Sequence, residues 1–256
     1  MTRRSTPARR TEIMALLEER GEISVEALAR YFSTSEVTIR KDLALLEHQG
    51  LLIRRYGGAA LIPRTDQPAV VSLAKLAIAK AARQRIRDHA RIIIDSGSTT
   101  SALIPELRDV LGLVVMTNSL AVANAIRELD SRPALLMTGG TWDERSCAFQ
   151  GQVAEQVLRA YDFDQLFIGA DGIDPERGTT TFNELLHLSR VMGDVAREVV
   201  VMIESDKMGR RIPNLELAWS AIDVLITDDQ ISDELFDTIT AQGVNVVRAQ
   251  VADTPR

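Results

Sequence analysis

The sequence predicts an α/β protein made of two domains, a small helical domain ending in a β-hairpin and a larger domain with a mainly parallel sheet. Apolar residues recur at helical spacing through the first part of the chain. Residues 63–72 contain two prolines and no such spacing, which indicates a linker. Beyond them, short β-branched runs alternate with helical patterns to the C-terminus. We therefore expect domains at residues 1–62 and 73–256.

Charge is unevenly distributed along the chain. The net charge is −6, but residues 1–60 hold ten Lys/Arg against eight Asp/Glu, and residues 61–256 hold twenty against twenty-eight. A net acidic chain is poorly suited to coating DNA, which argues against a DNA-compacting protein. The first ten residues form a cationic arm that either adds phosphate contacts or is a frayed terminus, with Arg3, Arg4, Arg9 and Arg10 and no acid.

Other classes of protein are disfavoured by composition. At 256 residues and 45% hydrophobic, the chain can form one sizeable core and a small second one. The single cysteine, Cys147, excludes an internal disulfide and fits a reducing compartment. His48, His89 and His187 lie far apart in the sequence, so we expect no metal site and no cofactor. No run of transmembrane length or signal-peptide pattern is present, and we expect a cytoplasmic protein.

Two helices precede the segment that we expect to contact DNA. Ile13, Leu16 and Leu17 recur at helical spacing within residues 8–20, and Gly21 can end that helix. Ser24 then opens a short second helix whose apolar positions are Val25, Leu28, Ala29 and Phe32. A tight polar turn leads from it into a third helix, and this arrangement predicts a helix-turn-helix.

Residues 33–46 predict the helix that enters the major groove. If Ser35 caps it, Ile39, Leu43 and Leu46 share an apolar face that packs inward. The opposite face is short, polar and cationic, as contacts to base edges and phosphates require. The DNA-contacting residues expected on this helix are Ser35, Glu36, Val37, Thr38, Arg40 and Lys41.

Three residues of this helix have more specific expectations. Val37 can lie against a thymine methyl group, and Glu36 can accept a hydrogen bond from cytosine N4. Alternatively, Glu36 only benefits from its place at a helix N-terminus, where a carboxylate is favourable. Asp42 lies near the buried side, where we expect it to pair with a neighbouring arginine.

Residues 51–62 predict two short strands joined at or near the Gly57-Gly58 pair. Such a hairpin would be the wing of a winged helix-turn-helix. Its side chains could reach phosphates or a minor groove through Arg54, Arg55 and Tyr56. The alternative is a hairpin that only covers the end of the helical core.

Seven apolar runs predict the strands of the larger domain. A helix rich in alanine and basic residues comes first, at residues 73–89. The runs that follow it are residues 91–95, 113–117, 134–138, 165–169, 199–204, 224–227 and 244–248. Continuous apolar strands separated by helices indicate a mainly parallel sheet covered on both faces.

Small hydroxylated residues, glycines and acids follow these strands and should gather at one edge of the sheet, where open α/β sheets bind ligands. The loop at residues 96–100 offers backbone N–H groups to an anion, although the same residues could be plain helix caps, and Pro105 predicts a short or kinked helix after it. A polyhydroxylated phosphate would match this set. The expected effector-binding residues are Asp95, Gly97, Ser98, Thr99, Thr100, Thr117, Asn118, Ser119, Gly139, Gly140, Asp171, Gly172, Glu184 and Lys207.

Short motifs spread over nearly the whole chain occur together: TIRKDL at residues 38–43, YGG at 56–58, DSGSTT at 95–100, TNS at 117–119, GG at 139–140 and SDK at 205–207. Together they resemble the DeoR family of bacterial transcriptional regulators. The resemblance implies a winged helix-turn-helix domain and an effector domain related to ribose-5-phosphate isomerase. It also implies a phosphorylated sugar or polyol as inducer, and a homo-oligomer, dimer or tetramer, acting on double-stranded operator DNA. Within the family, residues 136–141, 167–174, 180–184 and 209–214 most resemble the repressors of glucitol (sorbitol) operons.

The same resemblance raises a rival interpretation, in which the larger domain is an isomerase-like enzyme. The acidic loop at residues 169–174 resembles that of the isomerase, and Glu184 could stand for its catalytic carboxylate. However, no lysine lies between Asp174 and Glu184, and proton transfer between adjacent carbons needs a cation to stabilise the enediolate. Arg177 could substitute for the missing lysine. The sequence therefore favours binding without turnover.

Overall fold

The computed structural model describes residues 6–20, 22–48, 51–55, 58–61, 71–144, 146–181, 186–209, 212 and 214–252. The chain divides into two compact units, Met1–Val70 and Val71–Arg256. The predictions on Arg3, Arg4, Gly21, Tyr56, Glu184 and most of the linker lie outside the described residues.

The first unit contains three helices and a small antiparallel sheet. Its elements are α1 (Thr6–Arg20), β1 (Glu22–Ser24), α2 (Val25–Tyr31), α3 (Glu36–His48), β2 (Leu52–Arg55) and β3 (Gly58–Leu61). The predicted helix-turn-helix and hairpin are confirmed. Ser24 caps α2 as expected, because its hydroxyl accepts a hydrogen bond from Ala27 N at 3.1 Å.

Strand β1 was not predicted, and it ties the hairpin to the helices. The strand order is β1-β3-β2, so β3 lies in the middle of the sheet. Gly58 of β3 faces Ser24, and a Cβ at Gly58 would come within 2.6 Å of Ile23 O. Only glycine allows the two strands to approach this closely. Leu52 and Ala59 of the hairpin are buried in the same core as Ile39 of α3.

The second unit is built on a parallel sheet with helices on both faces. Its helices are α4 (Leu73–Arg83), α5 (Ser98–Ser101), α6 (Leu120–Arg127), α7 (Gln152–Arg159), α8 (His187–Asp194) and α9 (Asp233–Thr240). Its strands are β4 (Arg91–Ile94), β5 (Val114–Thr117), β6 (Ala134–Met137), β7 (Thr141–Asp143), β8 (Ala148–Gln150), β9 (Phe163–Ile168), β10 (Gly172–Asp174), β11 (Gly178–Thr181), β12 (Ala196–Met202), β13 (Asn214–Ala218), β14 (Val224–Asp228) and β15 (Asn245–Ala249).

The seven predicted runs form one seven-stranded sheet of order β15-β14-β12-β9-β4-β5-β6. All six strand pairs in it are parallel, which confirms the predicted fold class. Side chains on alternate sides of β4 enter two separate cores, with Ile92 and Ile94 in one and Ile93 in the other. Both faces of the sheet are therefore buried, as the continuous apolar runs required.

Helix α4 is shorter than predicted. It ends at Arg83, not near His89, and its cap Gln84 leads into turns. His89 adopts a positive φ of 61°, and its N–H donates to Leu111 O at 2.7 Å. The segment after α4 is therefore held by contacts with a distant loop, and these override its helical composition.

Two small antiparallel sheets were also not predicted. Strands β7 and β8 form a hairpin, and β10, β11 and β13 form a sheet in which β11 is central. Among the described residues, no helix is both long and apolar enough to span a membrane.

Candidate DNA-binding surface and effector site

Helix α3 presents the face that was predicted to contact DNA. Ile39 is fully buried, whereas Val37 on the opposite side is 63% exposed. Ser35 caps the helix, because its hydroxyl accepts from Thr38 N at 3.3 Å and lies 2.9 Å from the Thr38 hydroxyl. The hydroxyls of Ser35 and Thr38 therefore lie side by side at the N-terminal end of the exposed face.

Glu36 and Arg40 form an ion pair on this face. Arg40 Nη2 donates to Glu36 Oε2 at 2.8 Å, and both side chains are largely exposed. Such i,i+4 pairs contribute only about 0.3–0.5 kcal/mol, so DNA can replace the partner at little cost. Both residues, with exposed Lys41, remain available to DNA.

Asp42 links α3 to α1, which confirms its predicted pairing with an arginine. Its carboxylate is 2% exposed and accepts from Arg9 Nε at 2.6 Å and from Arg10 Nε at 2.8 Å. This arrangement corrects the prediction of a four-arginine arm. Arg9 and Arg10 belong to α1, where they neutralise a buried carboxylate and are not free to contact phosphates.

The hairpin places Arg54 and Arg55 in β2, where they pair with Ala59 and Gly58 of β3. Their side chains, and the whole of Tyr56, lie outside the described residues. The hairpin also packs on the helical core through Leu52, which is the alternative role expected for it. A DNA contact from its outer side stays a prediction.

The candidate effector site lies where the order of the large sheet reverses. Strand β4 lies between β5 and β9. After β4 the chain continues outward through β5 and β6 on one side, and it then crosses to β9 and continues outward through β12, β14 and β15 on the other side. In open α/β sheets the crevice at such a point, outside the carboxyl ends of the strands, binds ligands. Residues 95–101 and 169–172 follow the two strands there.

Asn118 connects the loops that follow β4 and β5. Its side-chain amide donates to Asp95 Oδ1 at 2.8 Å, and its Oδ1 accepts from Ser96 N at 3.2 Å. Burial raises the pKa of Asp95 to about 6, although the hydrogen bonds from Asn118 and Ser96 oppose this shift. Asp95, Ser96 and Asn118 therefore form one connected polar group, as the sequence predicted for strand-end residues.

The loop after Asp95 is shaped from inside by Thr100. The Thr100 hydroxyl is fully buried and shares its one hydrogen between Asp95 O at 2.8 Å and Gly97 O at 3.0 Å. Ser98, by contrast, is exposed. The Thr100 side chain thus holds the loop, whereas we had expected its hydroxyl to contact a phosphate.

The helix after this loop has only four residues, Ser98–Ser101, and a 3-10 helix containing Pro105 follows at Ile104–Leu107. This outcome confirms the effect expected of Pro105. A helix of one turn also has little dipole to offer an anion, because a dipole needs several aligned turns. Phosphate binding at this loop would therefore depend on individual N–H and O–H groups.

Several predicted effector residues serve the fold. Thr117 accepts from Ser119 N at 3.1 Å, and Ser119 caps α6 by accepting from Val122 N at 3.4 Å. A Cβ at Gly140, whose φ is 111°, would lie 2.5 Å from Gln150 O. Thr117 and Ser119 are also buried, so the turn role is the one that their contacts show.

Asp171 and Lys207 both have contacts at the loop that follows β9. Asp171 Oδ2 accepts from the Thr181 hydroxyl at 2.7 Å, and Gly172 begins β10. Lys207 Nζ donates to Ala170 O at 3.3 Å. The ammonium group therefore lies at the switch-point loop, on the side of β9 away from β4.

Glu216 is a site residue that the sequence did not indicate. It lies on β13, and its Oε1 accepts from the Ser189 hydroxyl of α8 at 2.7 Å. Burial raises the pKa of Glu216 to about 8; the Ser189 hydrogen bond opposes the shift, and the neighbouring carboxylates Asp95 and Asp171 add to it. Glu216 therefore adds a proton-holding carboxyl to the group formed by Asp95 and Asp171.

Arg177 does not provide the missing cation at this group. It lies in the turn of the β10–β11 hairpin and pairs with Asp174 at 3.8 Å. Asp174 and Gly178 close that turn, whereas Asp171 and Thr181 lie at the other end, about 10 Å along the strands. Among the described residues, no three His, Cys, Asp or Glu side chains are close enough to hold a metal ion.

Two family models match the chain. Residues 9–65 match the DeoR-like helix-turn-helix domain, and residues 71–229 match the DeoR C terminal sensor domain. The two matches follow one another along the chain in the same order as the two structural units.

Relatives of similar length accompany these matches. The chain is 38% identical over 252 residues to a putative aga operon transcriptional repressor of Escherichia coli O157:H7, covering 94% of this chain and 93% of the relative. It is 33% identical over 250 residues to the HTH-type transcriptional regulator GlpR of Haloferax volcanii, covering 93% and 96%. A ribose 5-phosphate isomerase A structure from Methanocaldococcus jannaschii aligns with a TM-score of 0.39 and 20% identity, over 52% of this chain and 53% of that one, a likeness too small to bear on function.

Proposed function

The chain belongs to the DeoR family of transcriptional regulators, and from this premise we propose that it represses a sugar or polyol catabolic operon until a phosphorylated sugar or polyol releases it from DNA. The observation that carries the proposal is the two-sided character of α3. One side is anchored in a core through Ile39, and the other exposes Val37, Arg40 and Lys41. A helix needs such an exposed face to reach base edges in a major groove.

The DNA surface proposed is that of α3 together with the hairpin. On α3, Ser35 and Thr38 offer hydroxyls, Val37 offers an apolar contact and Arg40 and Lys41 offer positive charge. The remaining members of the proposed surface are Glu36, Arg54, Arg55 and Tyr56. Phosphate contacts from this set would make operator binding fall with salt concentration.

The effector site proposed is the switch-point group around Asp95, Asn118, Asp171 and Lys207. Carboxylates and an amide suit the hydroxyls of a sugar or polyol, and Lys207 with the N–H groups of residues 97–99 suits its phosphate. We retain the other strand-end residues as members that shape this site, and we add Glu216. This domain carries a net charge of −8 beyond residue 60, so the local donors must outweigh a repulsive long-range field.

We propose that this site binds its ligand without turning it over. Residues 175–183 contain no lysine, and Arg177 pairs with Asp174 at the far end of its hairpin. An isomerase reaction would lack the positive charge that stabilises an enediolate there. The family membership also favours a regulator over an enzyme.

The identity of the effector is open between several phosphorylated compounds. The resemblance to glucitol operon repressors suggests glucitol 6-phosphate. The relatives instead include an aga operon repressor and, at 29% identity over 228 residues, the glycerol-3-phosphate regulon repressor of Escherichia coli. We therefore include both glucitol 6-phosphate and glycerol 3-phosphate among the candidates. A homo-oligomer, a cytoplasmic location and domain limits at residues 62 and 73 complete the proposal.

The test is a titration of DNA from upstream of the protein's own gene, at fixed moderate salt, with and without each candidate compound. Specific binding that one phosphorylated compound releases, and its unphosphorylated form does not, is the expected result. Specific binding that no compound changes would contradict the effector class. Absence of specific binding, with a sugar phosphate consumed in the same mixture, would show the enzyme that we argue against.

A further inference from the structure

One turn after β12 connects the proposed effector site to the last residue of the linker and the first turn of α4. Residues Ser205–Lys207 form a 3-10 turn, and Lys207 N donates to Glu204 O at 3.1 Å. At one end of this turn, the Lys207 ammonium donates to Ala170 O beside Asp171. At the other end, the Glu204 carboxylate accepts from the Ser72 hydroxyl at 2.6 Å.

Glu204 holds the first turn of α4 through two contacts. Ser72 is the N-cap of α4, and its hydroxyl also accepts from Lys75 N at 3.1 Å. Glu204 Oε2 lies 3.4 Å from Lys75 Nζ, and both side chains are about one-fifth exposed, at 18% and 20%. The chain runs from α4 back toward the helix-turn-helix through residues 62–70. Glu204 therefore acts on the point where the linker enters the second unit.

The middle of the turn is fixed by a buried carboxylate. Asp228, at the end of β14, is 3% exposed. Its Oδ2 accepts from Ser205 N and its Oδ1 from the Ser205 hydroxyl, both at 2.7 Å. Ser205 is thus held by two charge-assisted hydrogen bonds, and the short backbone that it anchors joins Glu204 at one end to Lys207 at the other.

We propose that Glu204 transmits effector binding to the linker, because the effector, by engaging Lys207, changes the hold of Glu204 on Ser72 and Lys75. The inference rests on the proposed function, since it needs an effector at Lys207. Two conformations of the turn, which the effector binds with different affinity, are sufficient to couple the site to DNA. In this scheme the Glu204 carboxylate contacts Ser72 and Lys75 and not the effector, so Glu204 is a positioning residue.

The experiment separates effector binding from its transmission. For the wild type and for Glu204→Ala, calorimetry gives the Kd of glucitol 6-phosphate, glycerol 3-phosphate and inorganic phosphate. Titrations then give the operator Kd with and without a saturating amount of the same compound, and their ratio is the coupling ratio. We expect Glu204→Ala to keep the effector Kd within about threefold and to bring the coupling ratio, which typically spans about 5–150-fold, down to within about twofold of one.

Further variants make the test independent of one substitution. Ser72→Ala removes the same contact from the side of α4 and should lower the coupling ratio likewise. The double variant should lose less than the sum of the two single losses, because both variants remove the hydrogen bond between Ser72 and Glu204. Glu176→Ala is the matched control, since Glu176 is an exposed glutamate of the same unit in the β10–β11 turn.

Each outcome bears on the proposal. An unchanged coupling ratio in both Glu204→Ala and Ser72→Ala would overturn it. A large loss of effector affinity in Glu204→Ala would overturn it as well, since it would place Glu204 in the binding site. A wild type that binds its operator, but that no probe releases, would contradict the proposed effector response and this inference together. Additive losses in the double variant would assign the effect to general loosening of the unit.

Discussion

The side-chain amide of Asn118 spans the gap between two loops by donating to Asp95 at 2.8 Å while accepting from the neighbouring backbone N–H. Asn118 is 3% exposed, and its partners Asp95 and Ser96 are half-buried, so water can replace the two contacts only in part. The site is thus built by a cross-link between β4 and β5 that exists before any effector contact is considered. Its strength can be measured separately from ligand binding.

Asn118→Ala should destabilise the second unit and weaken effector binding. Removing the amide takes one hydrogen-bond donor from the Asp95 carboxyl, at a cost of about 1.5–3 kcal/mol. Chemical denaturation gives the loss of stability, and calorimetry gives the loss of effector affinity. Asn124→Ala, at an exposed position of α6, is the control. Equal behaviour of the two variants would remove Asn118 from the site.

Stability should fall as the pH rises, and Glu216 should cause part of the fall. The folded state holds the Glu216 proton more tightly than the unfolded chain, because its pKa is raised from 4.5 to about 8. Stability from this proton is full below the ordinary pKa and is lost as the pH approaches 8. Asp95, whose pKa is raised from 3.8 to about 6, acts in the same direction over a lower range.

Glu216→Gln tests this assignment, since glutamine keeps an oxygen for Ser189 but cannot ionise. We expect the variant to match the wild type near pH 5 and to exceed it by about 1–3 kcal/mol near pH 8, in urea unfolding. Glu128→Gln, at an exposed position, should show the wild-type profile. A Glu216→Gln curve parallel to that of the wild type throughout would refute the prediction.

Arg40→Ala should weaken operator binding about tenfold if Arg40 contacts a base or phosphate. The slope of log affinity against log salt should also become smaller by about one unit for a lost phosphate contact. Titrations at several salt concentrations measure both quantities. Arg159→Ala, an exposed arginine of α7, should change neither. Unchanged affinity at matched salt would exclude Arg40 from the DNA surface.

Asp42→Ala should abolish operator binding by unfolding or loosening the first unit, while effector binding survives. The substitution leaves Arg9 and Arg10 without their buried partner, which costs about 2–4 kcal/mol after allowance for the partial exposure of Arg10. Thermal unfolding and calorimetric effector titration on the same sample measure the two effects. Glu26→Ala, which breaks only the exposed pair with Arg30, is the comparison. Normal DNA binding by Asp42→Ala would contradict the structural role.

Replacing Thr99 and Thr100 together by valine should abolish induction while operator binding survives. We expect the two threonines to act differently, Thr100 on stability and Thr99 on ligand binding. Thr100→Val removes the donor of two backbone carbonyls and should reduce stability by about 1–2 kcal/mol. Thr99→Val should change stability less and affect only phosphorylated ligands. Release of the double variant from DNA at wild-type effector concentrations would show that the phosphate binds elsewhere.

The large elements of the fold follow from the sequence, and the small ones do not. The inner strands of the seven-stranded sheet, such as β4 and β14, are buried on both faces, and their apolar runs show this directly. Strand β1 has three residues, and its existence depends on hydrogen bonds to β3 more than 30 residues away. In β11, Thr179 and Thr180 are fully buried, yet a Gly-Thr run resembles a polar loop in sequence. Such elements are set by distant partners and leave no periodic pattern.

For the candidate effector site, the sequence predicted that certain polar residues gather at one edge of the sheet, but not what each of them contacts. Polar residues after parallel strands must meet at one edge, and Asp95 and Asn118 do so. Sequence could not distinguish a hydroxyl that faces a ligand from one that caps a turn, and Thr100 and Thr117 proved to be of the second kind. Glu216 was not predicted as a member of the candidate site, because it lies between Leu215 and Leu217 on a strand that was itself not predicted. Its burial depends on α8, which packs over it from a separate part of the chain.

The strand order also determines when each unit can fold during synthesis of the chain. All the strands and helices of the first unit lie within residues 6–61, so that unit can fold as soon as it leaves the ribosome. Strand β4 emerges next, but its neighbour β9 follows about 70 residues later, a delay of about 4–14 s at about 5–20 residues per second. During that time the all-isoleucine end of β4 has no partner on its β9 side. In the nascent chain the first unit is therefore complete while the second unit cannot yet fold. Any dependence on chaperones should arise from the second unit alone.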